Sequence, residues 1–390
     1  MRVWREFRRI MKALISNRIY LEVTEEYKAI LSKELTYTIP SFNPRDPPFV
    51  IKNMARVRDT LGSIPIGRTD LIPKDYEVVD RRINIPVDFP EFKLPLRPSQ
   101  QEVYDELEDN CIINAWVSWG KTFTGLAIAG KLGQKTLIIV HTVPLRNQWA
   151  KEVEKVYGIT PGIIGSGKFE IDAPIVIGNT QSLYRNILKI NKQFGTIILD
   201  EMHHVSSPTF SKVIDTNYAR YKIGLSGTIE RKDGKHVVFR DYFGSKVFKP
   251  PKENYMVPSI TIYPSEIRFM DGQRTPWANK VTHLANQEEY RHSIAMIAAA
   301  YAAKGHKVLY GTQAIFSEGI SVDNLSCLIL ATPVNNEPLL TQLIGRIIRQ
   351  QKNKLSPVVI DIHLKGNTAR RQASNRMGYY MKQGYKIQQL

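Results

Sequence analysis

The stretch INAWVSWGKTFTGLAIAGKL, residues 113–132, decides how the chain is read. With the two residues before it, CIINAWV forms a strand-like run, SWG a turn, and KTFTGLAIAGKL the start of an amphipathic helix. Strand, tight turn and helix frame a phosphate-binding loop, where backbone N–H groups at a helix N-terminus face an anion. The strict spacing G-x-x-x-x-G-K-[ST] is not met, because Ala115 stands where the first glycine belongs. Its functional half is intact. Gly120 lets the backbone approach an anion, Lys121 can bridge terminal phosphates, and Thr122 can hold Mg²⁺.

Downstream, TIILDEMHHV places Asp200 and Glu201 at the C-terminal end of an apolar strand, where open α/β sheets bind ligands. One carboxylate there can hold a metal while its neighbour polarises water. The strand candidates CIINAWV, KTLIIVH, APIVIGN, FGTIILD and YKIGLSG alternate with helical segments such as PLRNQWAKEVEKVYG, which is the pattern of a parallel α/β sheet. A further unit shows strands at SITIYP, VLYGT, SCLILAT and PVVIDIH. Residues 1–95 carry no periodic βα signal, and PVDFPEFKLPLRPSQ reads as a linker into the α/β region. The basic, aromatic tail NTARRQASNRMGYYMKQGYKIQQL reads as a surface helix or a nucleic-acid contact.

The chain has 390 residues and a formal charge of +17, a surplus that favours polyanions, nucleic acid first. Its two cysteines, Cys111 and Cys327, sit in apolar runs with no Cys or His at ligand spacing, so they read as small buried hydrophobes. No apolar run is long enough for a signal or membrane segment, and the expected location is the cytoplasm, with no membrane partner.

AWVSWGKT resembles the superfamily 2 helicase form of the loop, A-x-x-G-x-G-K-T, in which Ala115 is expected and Ser118 departs. DEMH resembles the DExH box. The other motifs of that family follow in order. LRPSQ is similar to the adenine-reading Q motif, with Gln100; HTVPLRNQW to motif Ia, with Arg146; GNTQSL to the Ib segment, with Thr180 and Gln181. GLSGT gives Ser226 and Thr228 of motif III, and GTQAIFSEGISVDNL gives Thr312, Gly319 and Asp323 of motif V. QLIGRIIR matches motif VI, with Gln342, Arg346 and Arg349.

The resemblance implies two RecA-like parallel-sheet α/β domains in tandem, at 96–230 and 231–390, behind a small N-terminal α+β domain at 1–95. It implies ATP and Mg²⁺ as cofactors, with Thr122 and Asp200 on the metal. Glu201 would act on water, and Lys121, Gln342, Arg346 and Arg349 on the phosphates. Ala115, Gly120, Gln100, Gly319 and Asp323 would bind the nucleotide. His203, Ser226 and Thr228 would couple hydrolysis to movement, with His203 bonding across the cleft and His204 structural. Arg146, Thr180, Gln181 and Thr312 would meet nucleic acid. Two arginines three residues apart share one face of a helix, so Arg346 and Arg349 can reach one anion, and such arginines contribute ~10³ to 10⁵ in rate.

GLSGTIERKDG, DYFG, SEGISV and RMGYYMKQGYKI narrow the likeness to the UvsW/XPB-like group, with a T-odd coliphage counterpart fitting the size. That implies an ATP-dependent DNA helicase or translocase acting on branched DNA, forks and Holliday junctions, in recombination, replication and repair. Phage replication or recombination proteins would be its partners, and a monomer is favoured. The rivals are an RNA helicase, a duplex-DNA translocase that separates no strands, and a non-catalytic nucleic-acid-binding module. The last is disfavoured by the intact set Lys121, Thr122, Asp200, Glu201, Arg346 and Arg349. The second domain is short: KGHKVLYGTQAIF joins the motif IV strand directly to motif V, where a complete domain needs about 50 more residues. The expected cause is a segment missing from the sequence as given, and an intact mass of 44.6 kDa would refute it.

Overall fold

The computed structural model describes residues 11–41, 46–203, 207–227, 234–272, 274–307, 311 and 324–389. Thr228, Thr312, Gly319, Asp323 and His204 lie outside the described residues, as does most of the strand expected at VLYGT. Contacts divide the chain into two units, Met1–Trp116 with Gly120–Pro251, and Lys252–Leu390 with Val117–Trp119.

The first unit opens with short strands β1 (Lys12–Ile15), β2 (Ile19–Glu22), β3 (Thr36–Ile39), β4 (Phe49–Lys52), β5 (Ala55–Arg58), β6 (Leu61–Ile64) and β7 (Glu77–Asp80), and with α1 (Glu25–Glu34). They form a sheet of order β5-β6-β2-β1-β7 and a separate β3–β4 hairpin. Strand residues alternate between faces, and Ala13, Ile15, Ile19, Leu21 and Ile64 close on Leu31 and Leu35 to make a core of their own. Thr24 caps α1 by accepting from the Tyr27 N–H at 3.2 Å.

The linker is extended and bound along the surface of the following sheet. Ile83 N–H donates to Tyr218 O at 2.7 Å, Lys135 N–H to Ile85 O at 2.8 Å, and Val87 N–H to Gly133 O at 3.0 Å. Phe89 and Phe92 then pack on Tyr157, with ring centroids 5.4 and 5.5 Å away.

The large sheet of this unit follows as α2 (Pro98–Glu106), β8 (Cys111–Asn114), α3 (Lys121–Leu132), β9 (Thr136–Val140), α4 (Val143–Tyr157), β10 (Gly162–Gly165), β11 (Lys168–Phe169), β12 (Ile175–Asn179), α5 (Thr180–Arg185), α6 (Ile187–Ile190), β13 (Thr196–Leu199), α7 (Pro208–Asp215), β14 (Tyr221–Ser226), α8 (Phe239–Phe243) and β15 (Val247–Phe248). Their order is β11-β10-β12-β9-β13-β14-β8-β15, parallel throughout except for the β10–β11 pair. The five expected strands are all present. Their apolar runs reflect burial on both faces, as parallel sheets require. The boundary expected at residue 230 falls instead at Pro251, because α8 packs on the sheet and β15 extends it beside β8.

The second unit contains β16 (Ser259–Arg268), α9 (Trp277–Asn286), α10 (Glu288–Ala303), β17 (Cys327–Leu330), α11 (Glu337–Ile347), β18 (Val358–Lys365), α12 (Asn367–Lys382) and β19 (Lys386–Gln389). Among the described residues its sheet has four parallel strands, in the order β17-β18-β16-β19. The tail is not a surface appendage. Tyr379, Tyr380 and Tyr385 are buried in the core of this unit, and Arg376 meets Asp361 of β18 at 2.7 Å with both side chains buried. The aromatic run that reads as a surface helix or a nucleic-acid contact is apolar bulk closing the sheet, and β19 supplies an edge strand.

Candidate nucleotide site

The turn after β8 is built for an anion. Gly120 caps α3 from the left-handed region at φ 93°, and a Cβ there would stand 2.7 Å from Gln100 Nε2. Only glycine lets the chain pass so close to the Q-motif amide. Gln100 is itself fixed, since its Oε1 accepts from the Arg97 N–H at 3.0 Å as α2 begins. Ser118, the departure from the family loop, has φ 73°. Its place is one where a glycine would be unstrained, and the family's glycine thereby acquires a reason. Ala115 is buried, its N–H donating to Ser226 O at 3.0 Å, and Lys121 Nζ donates to Ala115 O at 3.3 Å. Thr122 follows in the first turn of α3.

Across β14 from β8, β13 delivers Asp200 and Glu201. The Asp200 carboxylate is buried. Its Oδ1 accepts from the Glu201 N–H at 2.9 Å and its Oδ2 from Trp149 Nε1–H at 2.7 Å. Burial first, and the Glu201 charge second, push it up to about 6. Burial also raises Glu201, but the hydrogen bond from His203 and the charges of Lys121, His203 and His141 outweigh it and hold Glu201 ionised, down to about 2. Glu201 occupies the left-handed region at φ 49°, a strained conformation of the kind that collects at functional sites. His203 Nδ1 lies 3.3 Å from Glu201 Oε2 and 3.5 Å from Ser226 Oγ. It therefore joins motif II to motif III within the first unit.

These residues fit a nucleotide with a divalent cation. Among the described residues no three or more His, Cys, Asp or Glu side chains form a metal cage. Mg²⁺ needs none, being held by one or two carboxylates together with substrate phosphates. A dry carboxylate raised toward its protonated form is one that a cation stabilises.

The expected nucleic-acid contacts divide. Arg146 is buried, its Nη1 donating to Ser166 Oγ at 3.1 Å and Asn179 Oδ1 at 3.2 Å. It fastens α4 to the end of β12 and does not offer its guanidinium to a backbone phosphate. Thr180 is buried, its hydroxyl donating to Val140 O at 3.1 Å, whereas Gln181 is exposed.

In the second unit, α11 carries Gln342 and Arg346 but ends at Ile347. Arg349 lies beyond it in a β-bridge to Tyr255, and Met256 N–H donates to Ile348 O at 2.7 Å. The two arginines thus do not share a helix face, because the helix ends at Ile347 and the chain at Ile348–Arg349 pairs with the segment at Tyr255–Met256. Trp149 escaped the sequence reading. The signal was there: a buried indole N–H requires an acceptor, and Trp149 stands one turn after Arg146 on an amphipathic helix.

Residues 93–231 match the family described as "Type III restriction enzyme, res subunit". The chain is 40% identical to "Probable helicase D10" of Escherichia phage T5 over 430 residues, covering 96% of this chain and 95% of that protein. That alignment is longer than the 390 residues here, so the relative has residues without a counterpart in this sequence. "ATP-dependent DNA helicase uvsW" of Enterobacteria phage T4 is 26% identical over 302 residues, 58% of this chain and 59% of that one. In fold alone, Dbp5 of S. cerevisiae bound to RNA and ADP BeF3 is similar with a TM-score of 0.52 at 11% identity, over 75% of this chain and 89% of the other.

Proposed function

Because the chain belongs to the superfamily 2 helicases, in the UvsW-like group, we propose that this ATP-dependent enzyme acts on DNA, and on branched DNA in particular. Glu201, held ionised, polarises the attacking water. Lys121, Arg346 and Arg349 neutralise charge on the transferring phosphoryl group, and Gln342 assists them. Thr122 and Asp200 would hold Mg²⁺, which would supply positive charge to offset that of the phosphates, and Gln100 reads the adenine. Gln181 meets the nucleic-acid backbone, with Thr180 and Arg146 shaping the segment behind it. Ser226, Thr228 and His203 couple the chemistry to movement; Gly319 and Asp323 are assigned to the nucleotide and Thr312 to nucleic acid.

One observation carries the branched-DNA reading. The N-terminal strands are fixed to helices of the motor sheet by two polar hubs, one half-buried and one buried. Arg18 Nη1 donates to both oxygens of half-buried Asp215 at 2.7 Å, and buried Asp241 accepts from Tyr37 Oη at 2.9 Å and Asn53 Nδ2 at 2.6 Å. A second DNA-gripping surface held at a fixed distance from the motor is what a junction, with its several arms, requires of an enzyme. The charge of +17 supplies sequence-independent phosphate attraction, which weakens steeply with salt.

The test is ATP-dependent processing of a synthetic Holliday junction beside a tailed DNA duplex and an RNA duplex, with Lys121→Ala as control. Conversion of the junction with the RNA duplex untouched supports the proposal. Unwinding of RNA alone refutes the substrate, and ATP hydrolysis without strand separation points to duplex translocation.

A further inference from the structure

Trp149 does more than fill space. Its indole is fully buried on α4, and Nε1–H donates to Asp200 Oδ2 at 2.7 Å. The ring is wedged against the phosphate-loop helix: a Cβ on Gly125 of α3 would stand 3.3 Å from the indole Cη2. One turn earlier on the same helix, Arg146 is tied to Asn179, the residue that precedes Thr180 and Gln181. Thus α4 is anchored at one place to the segment assigned to the nucleic-acid strand and at another to the carboxylate assigned to the nucleotide.

The hydrogen bonds on Asp200 have different sources. Oδ1 is held by the Glu201 N–H of the same loop, at 2.9 Å. Oδ2 is held from a different element. With a donor on each oxygen the plane of the carboxylate is fixed, whereas the Glu201 N–H alone would leave it a pivot. Hydrogen bonds to an ionised acceptor are roughly twice as strong as neutral ones. Groups that orient ligating side chains in this way commonly govern how well the ligand atoms serve.

We infer that Trp149 is a positioning residue: its indole N–H sets the carboxylate plane of Asp200, and α4 lets nucleic acid engaged at Asn179–Gln181 alter that setting. The second half rests on the nucleic-acid role proposed above.

Trp149→Phe keeps an aromatic ring against Gly125 and deletes only the donor. In that variant the gain in affinity for a fluorescent ADP that Mg²⁺ confers, relative to EDTA, should fall by about 10- to 100-fold. Affinity in EDTA and affinity for a single-stranded oligonucleotide should be unchanged, and oligonucleotide stimulation of ATPase kcat should be lost. The inference is overturned if the variant keeps the Mg²⁺ gain, or if affinity falls equally in EDTA, which is the mark of lost packing.

A second measurement needs no Trp149 variant. The indole N–H resonance of the ¹⁵N-labelled wild type, identified by its displacement in Asp200→Asn, should move on adding Mg²⁺ and ADP, and move again with oligonucleotide. A resonance indifferent to Mg²⁺ and ADP overturns the inference. Failure of the nucleic-acid reading would look different: wild-type ATPase would ignore oligonucleotides while the Mg²⁺ gain still depended on Trp149.

Discussion

Lys222 gives a quantitative test of how the motor sheet and the N-terminal sheet meet. It is the second residue of β14, fully buried, and its Nζ donates to Asn17 O at 3.4 Å. Burial pushes it down to about 7; the Asp215 charge opposes this, and Arg82 and Arg18 add to it. The folded value is below the free value of 10.5, so between the two the unfolded chain binds more protons and stability rises with pH. Below the folded value both states are protonated and the penalty is complete. A depression from 10.5 to about 7 corresponds to roughly 5 kcal/mol at its ceiling, and about 2–3 kcal/mol of that is relieved between pH 6 and pH 9. Lys222→Met matches the length of the side chain without the charge. Urea unfolding at the two pH values should find the variant more stable than wild type at pH 6, with the advantage smaller by about 2–3 kcal/mol at pH 9. The comparison is between two proteins at each pH, so titrating groups remote from Lys222 cancel. An advantage that does not change with pH, or a variant less stable at pH 6, would refute the argument.

Other outcomes follow from the site and the second sheet. Glu201→Gln should lower ATPase kcat by at least about 10²-fold while fluorescent ADP still binds, since only the base is removed. Ser118→Gly relieves a left-handed φ of 73° and should raise stability by about 1 kcal/mol in urea titrations with ATPase retained; a loss of stability would mean the hydroxyl matters more than the strain. Arg376→Ala leaves buried Asp361 with Tyr380 Oη at 3.0 Å and His363 Nε2 at 3.5 Å in place of the guanidinium fork. It should destabilise the second unit by about 3–5 kcal/mol, read by denaturant unfolding.

What was legible in the sequence was what chemistry dictates locally. Gly120, Lys121 and Thr122 announce themselves because an anion site at a helix start needs those residue types in that order, and Asp200–Glu201 because an apolar strand ending in two carboxylates has few uses. The five central strands could be read because burial on both faces demands unbroken β-branched runs. The rest depended on tertiary partners. β10 is GIIG, too short and glycine-rich to stand out, and it forms only because β12 offers a parallel edge. Arg146 and the tail tyrosines looked exposed because their types usually are. Burial of Arg146 depends on Asn179 and Ser166, thirty-three and twenty residues away in sequence. Motif VI failed as a helical argument at one residue, since spacing predicts a shared face only while the helix continues.

The hubs between the N-terminal sheet and the motor sheet are better explained by orientation than by strength. Burial raises Asp241 despite its donors Tyr37, Asn53 and Arg68, so ionising it there is costly. A buried ion pair often contributes no more stability than apolar residues of the same shape. What such a hub does supply is a penalty for every alternative docking, because any shift of the N-terminal sheet strands a charge away from its donors. Tyr37 and Asn53 come from the β3–β4 hairpin and its exit, Arg68 from the turn after β6, and Arg18 from the β1–β2 turn. Those donors, drawn from the hairpin and from two separate turns, converge on two acidic residues of α7 and α8 and hold the N-terminal strands against rotation about any one contact. A domain that only had to be tethered would need one such point; this distribution suits a domain that must bear load while the motor moves.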